Sequence, residues 1–186
     1  MILPIVAYGD AVLRKKAEDI EENYPGLAKL IQDMWDTMYN ASGVGLAAPQ
    51  VGKSIRLFIA DGAGFADEEP ELEHFKKVFI NPVILEEEGE EWAFNEGCLS
   101  IPGIREDVMR KPKITIEYLD ENFELHEETY EGIAARIIQH EYDHIEGILF
   151  IDKIAPLTKK MLKSKLDKIT RGDVKVQYKM RFPGRK

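Results

Sequence analysis

The sequence contains very little cysteine and no long apolar run. Cys98 is the one cysteine among 186 residues, which excludes an internal disulfide and favours a reducing compartment. No apolar run approaches the roughly 18 residues that a membrane span needs, and the first residues lack the basic segment and apolar core of a signal peptide. We therefore expect a cytoplasmic protein without a membrane partner. Cys98 remains a core residue, a metal ligand or a nucleophile.

The charge of the chain is unevenly distributed. Residues 158–186 carry eleven Lys or Arg and two Asp or Glu, a net charge of +9, whereas the other residues carry 14 basic and 32 acidic side chains, a net charge of −18. The length predicts a single domain over residues 1–186, with a basic C-terminal helix and tail at 158–186. Such a tail suggests a polyanionic partner, although a solvated basic helix also explains it.

The sequence QHEYDH at residues 139–144 contains the pattern HExxH. Residues four apart share one face of a helix, so His140 and His144 can bind a single divalent metal ion. Glu141 is rotated by about 100° from His140 and can serve as general base toward a water that the metal activates. Ile133 and Ile137 extend the same stripe as an apolar wall. Alternatively, the histidines and Glu141 lie on a solvated helix face. The isoleucines can equally be ordinary core residues.

Apolar patterns along the chain predict an α+β fold. Asp10 can cap a short turn, and residues 25–39 form an amphipathic pattern with Pro25 in its first turn. β-prone runs predict strands at residues 55–60, 78–85, 92–94, 114–119, 123–130 and 174–180. We predict antiparallel sheets packed around a central HExxH helix between Gly132 and Gly147, with a further C-terminal helix past Pro156.

Two polar segments interrupt these patterns. Residues 62–73 predict a flexible surface excursion, and the acidic run at 86–91 predicts the solvated end of a hairpin.

A catalytic metal site generally has three protein ligands and one open position. No histidine follows His144, and Glu146 and Asp152 lie too close in sequence for a separate element to bring them to the metal. Cys98 is the alternative third ligand, because a thiolate suits Zn²⁺ or Fe²⁺.

Three motifs resemble the signature motifs of the peptide deformylase family in order and spacing. They are GVGLAAPQ at residues 43–50, EGCLS at 96–100 and QHEYDH at 139–144. The resemblance implies hydrolytic removal of the formyl group from the N-terminal formylmethionine of nascent polypeptides, with release of formate. It also implies Fe²⁺ as the metal in the cell, for which Zn²⁺, Ni²⁺ or Co²⁺ can substitute.

The resemblance assigns roles to matching positions. It implies that the metal ligands are Cys98, His140 and His144. It further implies that Glu141 is the general acid and base, that the Gln50 side chain and the Leu99 backbone N–H hold the oxyanion, and that the Gly45 backbone meets the substrate. Substrate contacts are expected at Val44, Phe94, Glu96, Gly97, Ile133, Arg136 and Ile137. The Arg136 stem could line the pocket rim while its charged head reaches water.

Two other functions compete with this interpretation. An HExxH metalloprotease with a downstream carboxylate ligand would keep its metal without Cys98. A structural metal site in a nucleic-acid-binding module would need a fourth ligand, for which His74 and His126 are the remaining histidines. For the deformylase, the basic tail suggests docking on the ribosome near emerging nascent chains.

Overall fold

A computed structural model describes residues 1–185 and confirms the predicted α+β fold with antiparallel sheets around the HExxH helix. The strands in chain order are β1 (Ile5–Val6), β2 (Gly45–Ala47), β3 (Leu57–Asp61), β4 (Lys76–Glu88), β5 (Trp92–Cys98), β6 (Ile101–Arg110), β7 (Lys113–Leu119), β8 (Leu125–Glu131) and β9 (Met180–Arg181). The helices are α1 (Leu27–Asn40), α2 (Gly132–Ile145), α3 (Pro156–Met161) and α4 (Lys163–Arg171).

The central sheet has five antiparallel strands in the order β2-β3-β4-β7-β8. Strands β5 and β6 form a separate antiparallel hairpin, and β1 pairs in parallel with β9. Helix α2 carries the HExxH pattern and packs on β2 and β3. The end of the hairpin and the motif helix thus meet beside the edge strand of the central sheet.

Strand β3 separates two apolar clusters because its side chains alternate between the two sheet faces. Phe58 and Ala60 pack in the cluster beneath α2, whereas Leu57 and Ile59 pack in the cluster beneath α1. A third cluster lies between the β5–β6 hairpin and α4. The motif helix is therefore held by packed side chains along its inner face.

The segment at residues 62–73, predicted as a flexible excursion, folds into short 3-10 turns that contact the motif helix. Leu72 is buried, and the Glu69 carboxylate accepts the backbone N–H of Ile133 at 3.1 and 3.2 Å. The first N–H groups of a helix lack intrahelical partners, and the helix dipole favours a negative charge there. This excursion therefore caps the helix that carries the site.

Several predicted element boundaries are wrong. Helix α1 begins at Leu27, so Pro25 precedes it. The acidic run is not a hairpin end, because residues 86–88 continue β4 and pair with β7, where Lys113 lies 3.7 Å from Glu88. Strand β6 was not predicted, since its charged residues obscure the alternation of buried and exposed positions.

The C-terminal part also differs from its prediction. The expected single helix breaks at Leu162, which leaves Leu157 and Met161 exposed while the apolar residues of α4 are buried. Of the strand predicted at 174–180, only its end belongs to the short β9. No helix within residues 1–185 combines the length and the apolar composition that crossing a bilayer requires.

Candidate metal centre and substrate cavity

The hairpin and the motif helix bring one thiol and two imidazoles together. Cys98 is the last residue of β5, at a register shift in the hairpin, and His140 and His144 lie one turn apart on α2. Each of these three residues offers one donor atom, and the three donor atoms lie within 4.8 Å of one another. We call Cys98, His140 and His144 the metal triad. Cys98 Sγ is 3.3 Å from His144 Nε2. This arrangement resembles the mixed sulfur and nitrogen sites of Zn²⁺ and Fe²⁺.

His140 is oriented by a carboxylate behind it. Its Nδ1 lies 2.8 Å from Glu96 Oε1, which leaves Nε2 available as a metal ligand. Metal-binding histidines are usually fixed in this way, because the carboxylate sets the tautomer and the ring orientation. Burial opposes charge on His140, but hydrogen bonds to Cys98 and Glu96 raise its pKa. Burial lowers the pKa of His144, which favours the neutral imidazole that a metal requires.

Glu96 is the centre of a buried charge network. Arg110 donates to both Glu96 oxygens at 2.8 and 3.0 Å, and Arg136 donates to Oε2 at 2.9 Å. Arg110 also donates to Asp143 at 2.7 Å. Burial alone would raise the pKa of the Glu96 carboxyl, but hydrogen bonds from His140 and Arg110 hold it below its ordinary range. Glu96 is therefore a carboxylate that anchors the helix to the hairpin.

Glu141 points into the site with one free oxygen. Its side chain is buried, and Oε2 has no hydrogen-bond partner within the described residues. Burial raises the pKa of Glu141 to about 7. A β-carbon added to Gly45 would lie 2.6 Å from Glu141 Oε1 and 2.8 Å from two of its carbons. Glycine at position 45 therefore gives this carboxylate its room beside β2.

Gln50 presents its amide nitrogen to the metal triad. Its Oε1 accepts the backbone N–H of Ala47 at 3.0 Å, which fixes the orientation of the amide. Its Nε2 donates to Ser100 Oγ at 3.2 Å and lies 3.5 Å from Cys98 Sγ. Gln50 is 1% exposed, so a donor is held in place at the centre of the site. Such preorganised donors stabilise negative charge that develops during a reaction.

A cavity of about 840 Å³ opens beside these groups. Most of the residues predicted to bind substrate line it: Val44, Gly45, Phe94, Glu96, Gly97, Arg136 and Ile137. The cavity lining also includes Gln50, Cys98, Leu99, His140 and Glu141. Ile133 is not part of the lining and lies one turn earlier on α2, in the apolar cluster that also contacts Val44 and Phe94. The cavity combines an apolar wall with polar groups at one end.

The structure corrects the expectation for Arg136. Its head does not reach water, because the side chain is 2% exposed and donates to Glu96, to the Val108 carbonyl and to the Trp92 carbonyl. The guanidinium lies 4.8 Å from the Trp92 ring centroid. The buried carboxylate and the two carbonyl acceptors together hold this charge inside the protein.

Residues 175–178 also line the cavity, although the motifs gave no signal for them. The Tyr178 hydroxyl donates to the Leu99 carbonyl at 2.7 Å. The alternating pattern at 174–180 predicted a strand, not a cavity wall, so this role could not be found from local sequence.

The carboxylates that a metalloprotease would use are engaged elsewhere. Glu146 lies 3.0 Å from Arg56, and Asp152 lies 2.5 Å from Arg14. The histidines that a structural site would need are also separate. The His74 side chain is 89% exposed, and His126 lies 2.7 Å from Asp120. Within residues 1–185 the metal triad therefore has three protein ligands, as an open catalytic site requires.

The residues present fit a catalytic metal ion. A thiolate and two imidazoles form a donor set suited to a borderline divalent ion. The buried, unpartnered Glu141 Oε2 has no other group to bind among residues 1–185, so it is free to receive a proton from water.

Comparisons with known proteins point to one family. The sequence model of the polypeptide deformylase family matches residues 2–160. The chain is 64% identical over 194 residues to a peptide deformylase of Christiangramia forsetii, covering 100% of this chain and 98% of that protein. It is 55% identical over 193 residues to one of Flavobacterium johnsoniae, with 100% and 98% covered. The crystal structure of a peptide deformylase from Legionella pneumophila superposes with a TM-score of 0.81 at 43% identity, covering 93% of this chain and 98% of that one.

Proposed function

The chain belongs to the peptide deformylase family, and we propose that Cys98, His140 and His144 hold the metal of this hydrolase. Family membership confirms the resemblance of the three motifs. The reaction is metal-dependent removal of the N-formyl group from nascent polypeptides. The position of the unpartnered Glu141 oxygen beside the metal triad carries the assignment of the site.

Different residues of the site serve different steps of the reaction. When bound, the ion lowers the pKa of a water molecule and polarises the formyl carbonyl. Glu141 accepts a proton from the water that attacks the formyl carbon, and it returns the proton to the leaving amine as the C–N bond breaks. Formate and a free N-terminal amine result. The Gln50 amide and the Leu99 N–H stabilise the oxyanion, and one such donor is typically worth about 3 kcal/mol.

The apolar wall selects the methionine side chain. Val44, Phe94 and Ile137 line the cavity, and Ile133 supports them from the underlying cluster. We propose that Glu96 and Arg136, although they line the cavity, act mainly by fixing His140 and the hairpin.

We propose Fe²⁺ as the native ion, with Zn²⁺, Ni²⁺ or Co²⁺ able to replace it. Elemental analysis of anaerobically purified protein is expected to find about one iron per chain, because Cys98, His140 and His144 together form one site with soft donors. A chelator should abolish formate release from a formyl-methionyl peptide, and added Fe²⁺ should restore it. Turnover that survives complete metal removal would contradict the proposal.

We also propose that residues 1–186 form one cytoplasmic metallohydrolase domain whose basic tail docks on the ribosome. The tail carries a net charge of +9, and Lys159, Lys160, Lys163 and Lys165 are on the two C-terminal helices, α3 and α4. Electrostatic binding to RNA weakens steeply with salt. Ribosomes are expected to pellet the parent protein at low salt, and a variant with these four lysines changed to glutamate should remain in the supernatant.

Turnover of a short formyl-methionyl peptide is the control for this docking experiment. The charge-reversed variant should keep that turnover, since the four lysines do not line the catalytic cavity. Equal pelleting of parent and variant would rule out docking through these lysines.

A further inference from the structure

A second cavity, the basic groove, lies beside the catalytic cavity and against α4. It has a volume of about 250 Å³ and is lined by Pro102, Gly103, Ile104, Lys165, Lys168, Ile169, Val174 and Lys175. Four of these residues, at positions 102–104 and 175, also line the catalytic cavity. The two spaces therefore share a wall. The groove therefore lies next to any part of a ligand that reaches residues 102–104 and 175 from the metal triad.

The groove is positively charged. Its lining contains Lys165, Lys168 and Lys175 and, among the described residues, no carboxylate. None of these three lysines lies within 4.0 Å of an Asp or Glu oxygen in the part of the chain that the structure describes. Arg105, which follows the shared residues 102–104 and lines the catalytic cavity, adds a further charge. Its guanidinium donates to Asn95 at 2.7 and 3.0 Å. This concentration of charge contrasts with the acidic body.

The wall that carries Lys175 is fixed relative to the active site. Tyr178 donates to the Leu99 carbonyl at 2.7 Å, and the Lys179 carbonyl accepts the Ile5 N–H at 2.9 Å. Before Lys175 in the chain, α4 ends at Gly172, which adopts the left-handed conformation. The segment also lies beyond residues 2–160, which match the family model. Its charges are therefore a feature of this chain outside the matched region.

We propose that the basic groove binds acidic side chains of the substrate that follow the formylmethionine. The proposal rests on the proposed function, because the formyl group must lie at the metal triad for the rest of the peptide to enter the groove. An extended peptide advances by about 3.3 Å per residue, so later residues leave the catalytic cavity. The partly exposed Pro102 and Val174 offer apolar surface for the stems of glutamate side chains. Because its lining is partly apolar, the groove fits a peptide better than a nucleic-acid backbone.

The test compares two peptides, formyl-Met-Ala-Ala-Glu-Glu and formyl-Met-Ala-Ala-Gln-Gln, by their ratio of kcat/KM in each protein. The metal-loaded parent is expected to prefer the glutamate peptide about fivefold, because exposed ion pairs are individually weak but several lysines contribute. The preference should arise mainly in KM and decrease with added salt. A variant with Lys168→Glu and Lys175→Glu should prefer the glutamine peptide.

A matched variant with Lys15→Glu and Lys53→Glu changes the net charge equally, at exposed positions outside both cavities. It should keep the ratio of the parent. If charge reversal at 168 and 175 prevents folding, the milder changes Lys168→Gln and Lys175→Gln should bring the ratio close to one.

A parent ratio close to one would overturn the proposal, as would an equal change in the matched variant. A groove variant that keeps the ratio but no longer pellets with ribosomes would make the groove an RNA contact and also overturn it. Failure of the proposed function has a different signature, since the metal-loaded parent would then release formate from neither peptide.

Discussion

Replacing Glu141 with glutamine is expected to leave the metal bound and to slow formate release by about 10³-fold or more. Glutamine preserves the shape of the side chain in its confined place beside Gly45. It cannot accept a proton from the attacking water, nor can it return one to the leaving amine. The metal triad does not include position 141, so metal binding should persist.

The measurement combines metal content with initial rates on a short formyl-methionyl peptide. Glu127→Gln is a matched control, because Glu127 is exposed on β8 and lies outside the catalytic cavity. That control should retain the activity of the parent. Activity of the Glu141→Gln variant within tenfold of the parent would contradict the assigned role of general base.

Replacing Cys98 with serine is expected to reduce metal retention at least about tenfold, because a neutral hydroxyl is a poorer ligand than a thiolate. Serine is close in size and should preserve the end of β5. Metal content after dialysis measures the effect, and a thermal unfolding curve without metal checks that the fold persists. Full occupancy in the variant would place the third ligand elsewhere.

The Cys98 thiolate should also make the activity of the iron form sensitive to oxidants. Peroxide should inactivate the parent through oxidation at Cys98, which is only partly buried. The hydroxyl of the Cys98→Ser variant cannot be oxidised in this way, so any residual activity of that variant should be less sensitive to peroxide.

The motif helix could be predicted from sequence because its information is local. His140 and His144 lie four residues apart, and that spacing alone places both on one face. Cys98 could be proposed from residue type, since the chain offers no other thiol. The fold class also followed from local apolar patterns, as did the strands β7 and β8 that precede the motif helix.

The surroundings of the metal triad could not be predicted because they depend on distant pairing. The contact of Glu96 with His140 joins residues 44 positions apart and requires the register of a hairpin whose second strand was missed. The buried head of Arg136 contradicts the usual behaviour of a long charged side chain and becomes explicable only when its carboxylate partner is known. The wall at residues 175–178 depends on how the chain turns after α4.

The contacts of Glu96 affect how the protein unfolds on heating. Its carboxylate joins β5 to β6 through Arg110 and to α2 through Arg136 and His140. If the hairpin separates from the helix, Cys98 leaves with the hairpin while both histidines stay on the helix. No partly opened state can then keep the complete metal triad. Loss of the ion and separation of these two elements would be one cooperative event, so the ion would also serve as a cross-link between them.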